Sequence, residues 1–260
     1  MNIFKIIQQI EKVDPEVYAR LNSRRNAFGL LGKAALTAAP LALGAVFQKA
    51  YGKTNDAVTD ILNFALTLEY LESEFYTMGL NAPNLIPANQ RAAFAQIKKH
   101  EDQHVTLLKG ALAANAVGKP TFDFMAGGAF PDVFTNLATF TTLAQAFEDT
   151  GVRAYKGQAG GLIGNKDVLT IALQIHSVEA RHASFVRRLR TQKGWITGNE
   201  GGNIPAAAAG VYAGEGTTEQ GGLARGMYAS GFSDGLVSES FDEPLTKDQV
   251  LAIASNFIVA

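Results

Sequence analysis

The chain has 260 residues, 47% of them apolar, a formal net charge of -1 and no cysteine. That is enough apolar material for one large globular core or two small ones, and the balanced charge leaves no basic footprint for nucleic acid. Without cysteine there is no disulfide, zinc-thiolate site or iron-sulfur cluster, so any metal must be held by carboxylate and imidazole, a donor set that suits iron or manganese.

Residues 1–50 have the composition of a leader. Ile3, Phe4, Ile6, Ile7 and Ile10 predict a short amphipathic helix before Asp14-Pro15. Arg24-Arg25 then precede an apolar and small-residue run from Leu30 to Phe47, broken only by Lys33 and ending near Leu43-Gly44-Ala45. This looks like a bacterial export signal of the twin-arginine type, although Phe28 stands three residues after Arg25 where two is usual, and it predicts an exported, periplasmic or envelope-associated protein. The alternative is an uncleaved helix over residues 24–47, buried or anchoring in a membrane, near the lower length limit for a span.

From Thr54 the period becomes helical. Thr54, Asn55 and Asp56 offer caps, and Val58, Ile61, Leu62, Ala65, Leu66, Glu69, Glu72 and Tyr76 recur at three- and four-residue steps until Asn81-Ala82-Pro83. A second helix is predicted over about 88–115, with Phe94, Ile97, Glu101, His104 and Leu108 on one stripe, stopping at Gly118-Lys119-Pro120. Residues 119–134 carry Phe122, Phe124, Phe130 and Phe134, too many aromatics for a disordered linker, and predict an ordered crossover packed on the helices. A third helix covers about 135–158 with Phe140, Leu143, Phe147, Glu148 and Tyr155; a fourth runs from an Asn165 cap through Ile175, Glu179, His182 and Leu189 towards Gly194. Residues 195–260 change character. Residues 197–240 are rich in Gly and Ala and predict an irregular segment that wraps the helices or contacts another subunit, and Thr246 with Gln249 marks a capping box opening a short last helix. The expected architecture is all-α: a four-helix bundle over 54–194 with a long crossover, behind a signal-like helix and ahead of a Gly-rich extension.

Glu-x-x-His occurs twice, as Glu101/His104 and Glu179/His182. On a helix this spacing puts both side chains on one face a turn apart, within reach of one metal ion. With 13 Glu and four His in the chain, chance predicts about 0.2 such pairs. A lone Glu precedes each: Glu69 stands 32 residues before Glu101, and Glu148 stands 31 before Glu179. Seven residues after each lone Glu comes a tyrosine, Tyr76 and Tyr155, on the same helix face. The chain is thus a tandem repeat of two helix hairpins. One Glu from each of two helices and Glu-x-x-His from each of the other two is the donor set of dinuclear carboxylate bundles. Four buried carboxylates would each cost several kcal/mol unpaired, and two divalent ions cancel their charge while His104 and His182 bind as neutral imidazoles. Glu72 shares part of the face of Glu69, but its counterpart in the second half is Gly151, which makes it an additional carboxylate beside the ligands rather than one of them. Tyr76 and Tyr155 are expected either in the core or hydrogen-bonded to a ligand Glu. His100 and His176 do not occupy matching positions and are taken as ordinary helix histidines, His176 being the nearer to the site.

Leu66-Thr67-Leu68-Glu69-Tyr70-Leu71-Glu72, Phe147-Glu148-Asp149-Thr150-Gly151-Val152, Val178-Glu179-Ala180-Arg181-His182-Ala183 and Phe241-Asp242-Glu243-Pro244-Leu245 resemble the bacterial ferritin-like domain family that includes plant desiccation-related proteins. More distantly the donor set is similar to bacterioferritin, rubrerythrin and manganese catalase. The resemblance implies that Glu69 and Glu148 are terminal ligands, that Glu101 and Glu179 bridge two iron or manganese ions, and that His104 and His182 complete one coordination sphere each. It implies reaction with oxygen or peroxide, whether for metal oxidation or for protection against oxidative or desiccation stress. The long crossover, the Gly-rich segment and the export signal depart from storage ferritins and put a storage cage in doubt. The alternative is a secreted or envelope scaffold with a structural metal or none, self-associating through helix faces or residues 197–240.

Overall fold

The computed structural model describes residues 56–259. The leader over 1–50, its twin-arginine run, the anchor alternative over 24–47 and the caps Thr54 and Asn55 lie outside the described residues. Four long helices carry the fold: α1 (Asp56–Asn81), α2 (Ala88–Leu112), α3 (Leu137–Gln158) and α4 (Lys166–Leu189). No helix among the described residues is long and apolar enough to cross a membrane.

Local chemistry sets the helix ends. The Asn136 side chain accepts from the Ala138 N–H, so α3 starts two residues later than its apolar pattern suggests. Asn165 accepts from the Val168 N–H in the same way and opens α4. The second helix stops as an α-helix at Leu112 rather than continuing to Asn115, because Ala113 takes φ +50. The chain then makes one 3-10 turn over Ala113–Asn115.

Helix directions follow from two levels of contact. Glu69, Glu101, Glu148 and Glu179 lie at one level. Tyr76, Phe94, Phe140 and Phe185 lie at the next, with the Phe94 ring 6.1 Å from Tyr76, 5.4 Å from Phe140 and 6.1 Å from Phe185. Passing from the first level to the second, residue numbers rise in α1 and α4 and fall in α2 and α3. Helices α2 and α3 therefore run the same way, and the connection between them must return along the bundle, about 38 Å for a helix of 25 residues. The crossover is ordered by its aromatics. Phe124 and Phe130 are buried, each contributing about 2–3 kcal/mol of apolar burial, and Phe124 packs edge-on at 5.2 Å from Phe75.

Helix α3 is central. Every residue from Leu143 to Tyr155 is buried, which three neighbouring helices alone do not achieve, since a bundle helix keeps one face towards solvent. The Gly-rich extension supplies the missing cover. It is mostly irregular, with a 3-10 stretch over Ala206–Tyr212 and short helices α5 (Arg225–Tyr228) and α6 (Asp234–Ser238). Gln145 donates to the Gly201 carbonyl at 2.9 Å, Tyr212 donates to Asp149 at 2.7 Å, and Arg153 pairs with Glu215 at 2.7 Å while donating to the Glu243 and Ala213 carbonyls. Helix α7 (Lys247–Ala254) opens with the Thr246/Gln249 capping box. Beyond it β2 (Ile258–Val259) pairs antiparallel with β1 (Thr121–Phe122) of the crossover, Thr121 opposite Val259. Gly157 is required where this wrap closes, because a Cβ there would overlap the Leu245 carbonyl oxygen.

Candidate metal centre

Helices α1 to α4 each aim one glutamate at the bundle axis: Glu69, Glu101, Glu148 and Glu179, all 0% exposed. One turn beyond Glu101 and Glu179, His104 and His182 reach the same space, 8% and 5% exposed. Two overlapping groups result, Glu69, Glu101, His104 and Glu179 on one side and Glu101, Glu148, Glu179 and His182 on the other. The six residues singled out by their spacing in the sequence are brought together.

Distances give each carboxylate its place. His104 Nδ1 lies 3.0 Å from Glu69 Oε2, 2.9 Å from Glu101 Oε2 and 3.1 Å from Glu179 Oε1. His182 Nδ1 lies 2.9 Å from Glu101 Oε1, 3.1 Å from Glu148 Oε2 and 3.7 Å from Glu179 Oε2. Glu101 and Glu179 thus turn one oxygen to each imidazole, while Glu69 and Glu148 each serve one side only. The outer oxygens of this last pair are held across the bundle. Tyr155 of α3 donates to Glu69 Oε1 of α1, and Tyr76 of α1 donates to Glu148 Oε1 of α3. The two tyrosines are therefore buried and hydrogen-bonded to the carboxylates at once.

One imidazole N–H can point at one acceptor, yet each Nδ1 has three carboxylate oxygens around it. Glu101 Oε1 and both oxygens of Glu179 accordingly have no aligned hydrogen-bond donor although they are buried. Nitrogen and oxygen atoms converging without enough protons to share are what a cation satisfies, and this donor set suits iron or manganese. The residues present fit a metal site, with Glu69 and His104 on one side, Glu148 and His182 on the other, and Glu101 and Glu179 between.

Electrostatics at the carboxylate level follow from crowding. Burial pushes the Glu179 carboxyl upward, but the close approach and charge of the His104 and His182 imidazoles overcome it and hold it at about 2. Burial pushes Glu148 up to about 7 against the pull of His182. Glu101 is driven well above the carboxylate range by burial and then by Glu179. For the imidazoles burial works against charge, and it loses: Glu148 with Glu101 raises His182 to about 12, and Glu69 with its neighbours raises His104 as well. The crowded carboxylates thus favour positive charge at both imidazoles.

The repeat is broken at Glu72. Glu72 is 3% exposed, and a Cβ on Gly151, its counterpart, would lie 3.3 Å from Glu72 Oε1 and 3.4 Å from Glu179 Cγ. The missing side chain makes room for a fifth buried carboxylate, which burial and then Glu179 push well above its ordinary value. His100 departs from expectation. It, rather than His176, touches the site: its Nδ1 is 2.8 Å from His182 Nε2, the rings stack within 9° of parallel, and Gln96 follows at 2.6 Å. Its counterpart in the second half is Val178, so the repeat that exposes the ligands gives no signal for it. The model of the ferritin-like domain matches residues 57–192. No curated protein matches the chain.

Proposed function

The chain belongs to the ferritin-like domain family, and on that premise we propose that it binds two iron or manganese ions and reacts with dioxygen or peroxide. The observation that carries this reading is the double-facing geometry of Glu101 and Glu179, each with one oxygen towards each imidazole. When bound, the two ions supply Lewis acidity and one-electron redox steps. The protein's part is to hold four carboxylates of fixed orientation in a dry space, to keep both imidazole Nδ1 atoms turned inward, and to lock Glu69 and Glu148 through the tyrosine hydroxyls. The test is elemental analysis of protein purified from its own cell envelope, with Glu101→Ala beside it. Two iron or manganese ions per chain are expected in the wild type and fewer than one in the variant; undiminished metal in the variant would sink the assignment.

A second reading is favoured by a specific feature of the extension. Phe232 and Leu236 are more than half exposed and line one hollow with Tyr228 and Phe241, an apolar surface of the kind used for contact with another chain. In that reading the bundle is a scaffold and the metal is structural. Metal that raises the melting temperature without any oxygen- or peroxide-dependent oxidation would select it. Export through the Arg24-Arg25 signal is part of the proposal, supported by the sequence of residues 23–47; a size shift of the secreted form on a blot tests it.

A further inference from the structure

Along the bundle axis the carboxylate level has unlike neighbours on its two sides. On one side stand the packed rings of Tyr76, Phe94 and Phe140. On the other a cavity lies among all four helices, walled by Ala65 of α1, Leu108 of α2, the Tyr155 ring of α3 and Ala172 and Ile175 of α4. These walls adjoin the site itself. Ala65 is one turn before Glu69, Leu108 one turn after His104, Ile175 one turn before Glu179, and Tyr155 is hydrogen-bonded to Glu69. At the far end, Ile61 and Gln158 line the same cavity and are partly exposed, so it runs from the surface towards the carboxylates.

Size and polarity select the occupant. There is room for about one water-sized body. A buried water needs two to four polar partners, whereas the inner walls offer hydrocarbon and a Tyr155 hydroxyl already committed to Glu69, the one further polar side chain, Gln158, standing at the outer end. Hydrogen peroxide, with more hydrogen bonds to satisfy than water, is disfavoured for the same reason. An apolar diatomic gas loses little on leaving water and fits the space. We propose that this cavity is a dioxygen site, which admits the gas from the bundle end and holds it against the carboxylate level while discriminating against peroxide.

This inference rests on the oxygen-reactive reading above, and its test separates the two. Crystals of the full chain pressurised with xenon are expected to show a xenon atom between Ala65, Leu108 and Ala172, with or without metal. Ala172→Leu fills the space; with Fe(II) loaded, its oxygen uptake is expected to fall by about tenfold or more, while Fe(II) affinity and peroxide-driven oxidation stay within about twofold of wild type. No xenon in the cavity, ordered water or a co-purified acyl chain found in it, or wild-type oxygen uptake by Ala172→Leu would each overturn the dioxygen site and leave the metal centre standing. A wild-type protein that binds Fe(II) and takes up no oxygen would overturn the oxygen-reactive reading and this inference with it.

Discussion

Tyr76 and Tyr155 show how a single hydroxyl supports a buried carboxylate from the opposite helix. Each donates to a carboxylate that would otherwise keep a bare, buried oxygen. Partners of this kind commonly contribute about 10- to 100-fold in metal affinity. Tyr155→Phe is therefore expected to weaken metal binding by about that factor in competition with a chelator, with secondary structure unchanged by circular dichroism. Protons report on the same residues. The surrounding carboxylates, overcoming burial, push His182 up to about 12 and raise His104 as well, so a metal entering the site must displace the protons both would otherwise carry at neutral pH. Calorimetry in buffers of different ionisation enthalpy should register release of at least about two protons per filled site, and affinity should rise with pH. The metal-free protein should behave oppositely. Its folded imidazole values exceed the unfolded value of about 6.5, so the stabilisation they confer is complete below that pH and drains away as pH rises towards 12; its melting temperature should fall between pH 7 and pH 9. The six converging residues were legible because a repeat announces itself twice. His100 was not, since nothing in one helix's sequence says which neighbouring helix its side chain meets.

Helix α3 sets the limits of pattern reading at the scale of elements. Its stripe of Phe140, Leu143, Phe147 and Tyr155 was plain, and so were the positions of all four helices. Gln145, Asp149 and Arg153 recur at four-residue steps, which on an isolated helix marks a solvated face. They are instead buried under the extension, with Arg187 closing on Asp149 at 2.5 Å. A partner that arrives from some 50 to 90 residues away leaves no trace in the local period. Gly157→Ala probes this seam. The added methyl would overlap the Leu245 carbonyl, and overpacking of this kind costs about 1–3 kcal/mol. The expected result is a lowered denaturation midpoint and faster proteolytic nicking within residues 200–240, with metal content retained.

At the scale of the described fold, residues 195–259 are part of the bundle's structure, since they satisfy polar groups that four helices leave buried. A chain stopped after residue 196 would leave the Arg153 and Asp149 charges without Glu215 and Tyr212 and lay bare the packed surface of α3. Its expected fate is aggregation or a molten bundle, read as lost near-ultraviolet circular dichroism with far-ultraviolet signal retained. The pairing of Thr121 with Val259 carries a consequence for folding kinetics. It closes a loop of more than half the chain. Local helix hairpins form early and cheaply, whereas a contact of such long sequence separation must wait for its loop entropy to be offset by everything already packed. The ladder of residues 121–122 and 258–259 should therefore be a late event in refolding, and the crossover's phenylalanines should stay exposed to chaperones until residues 244–259 are available to cover them.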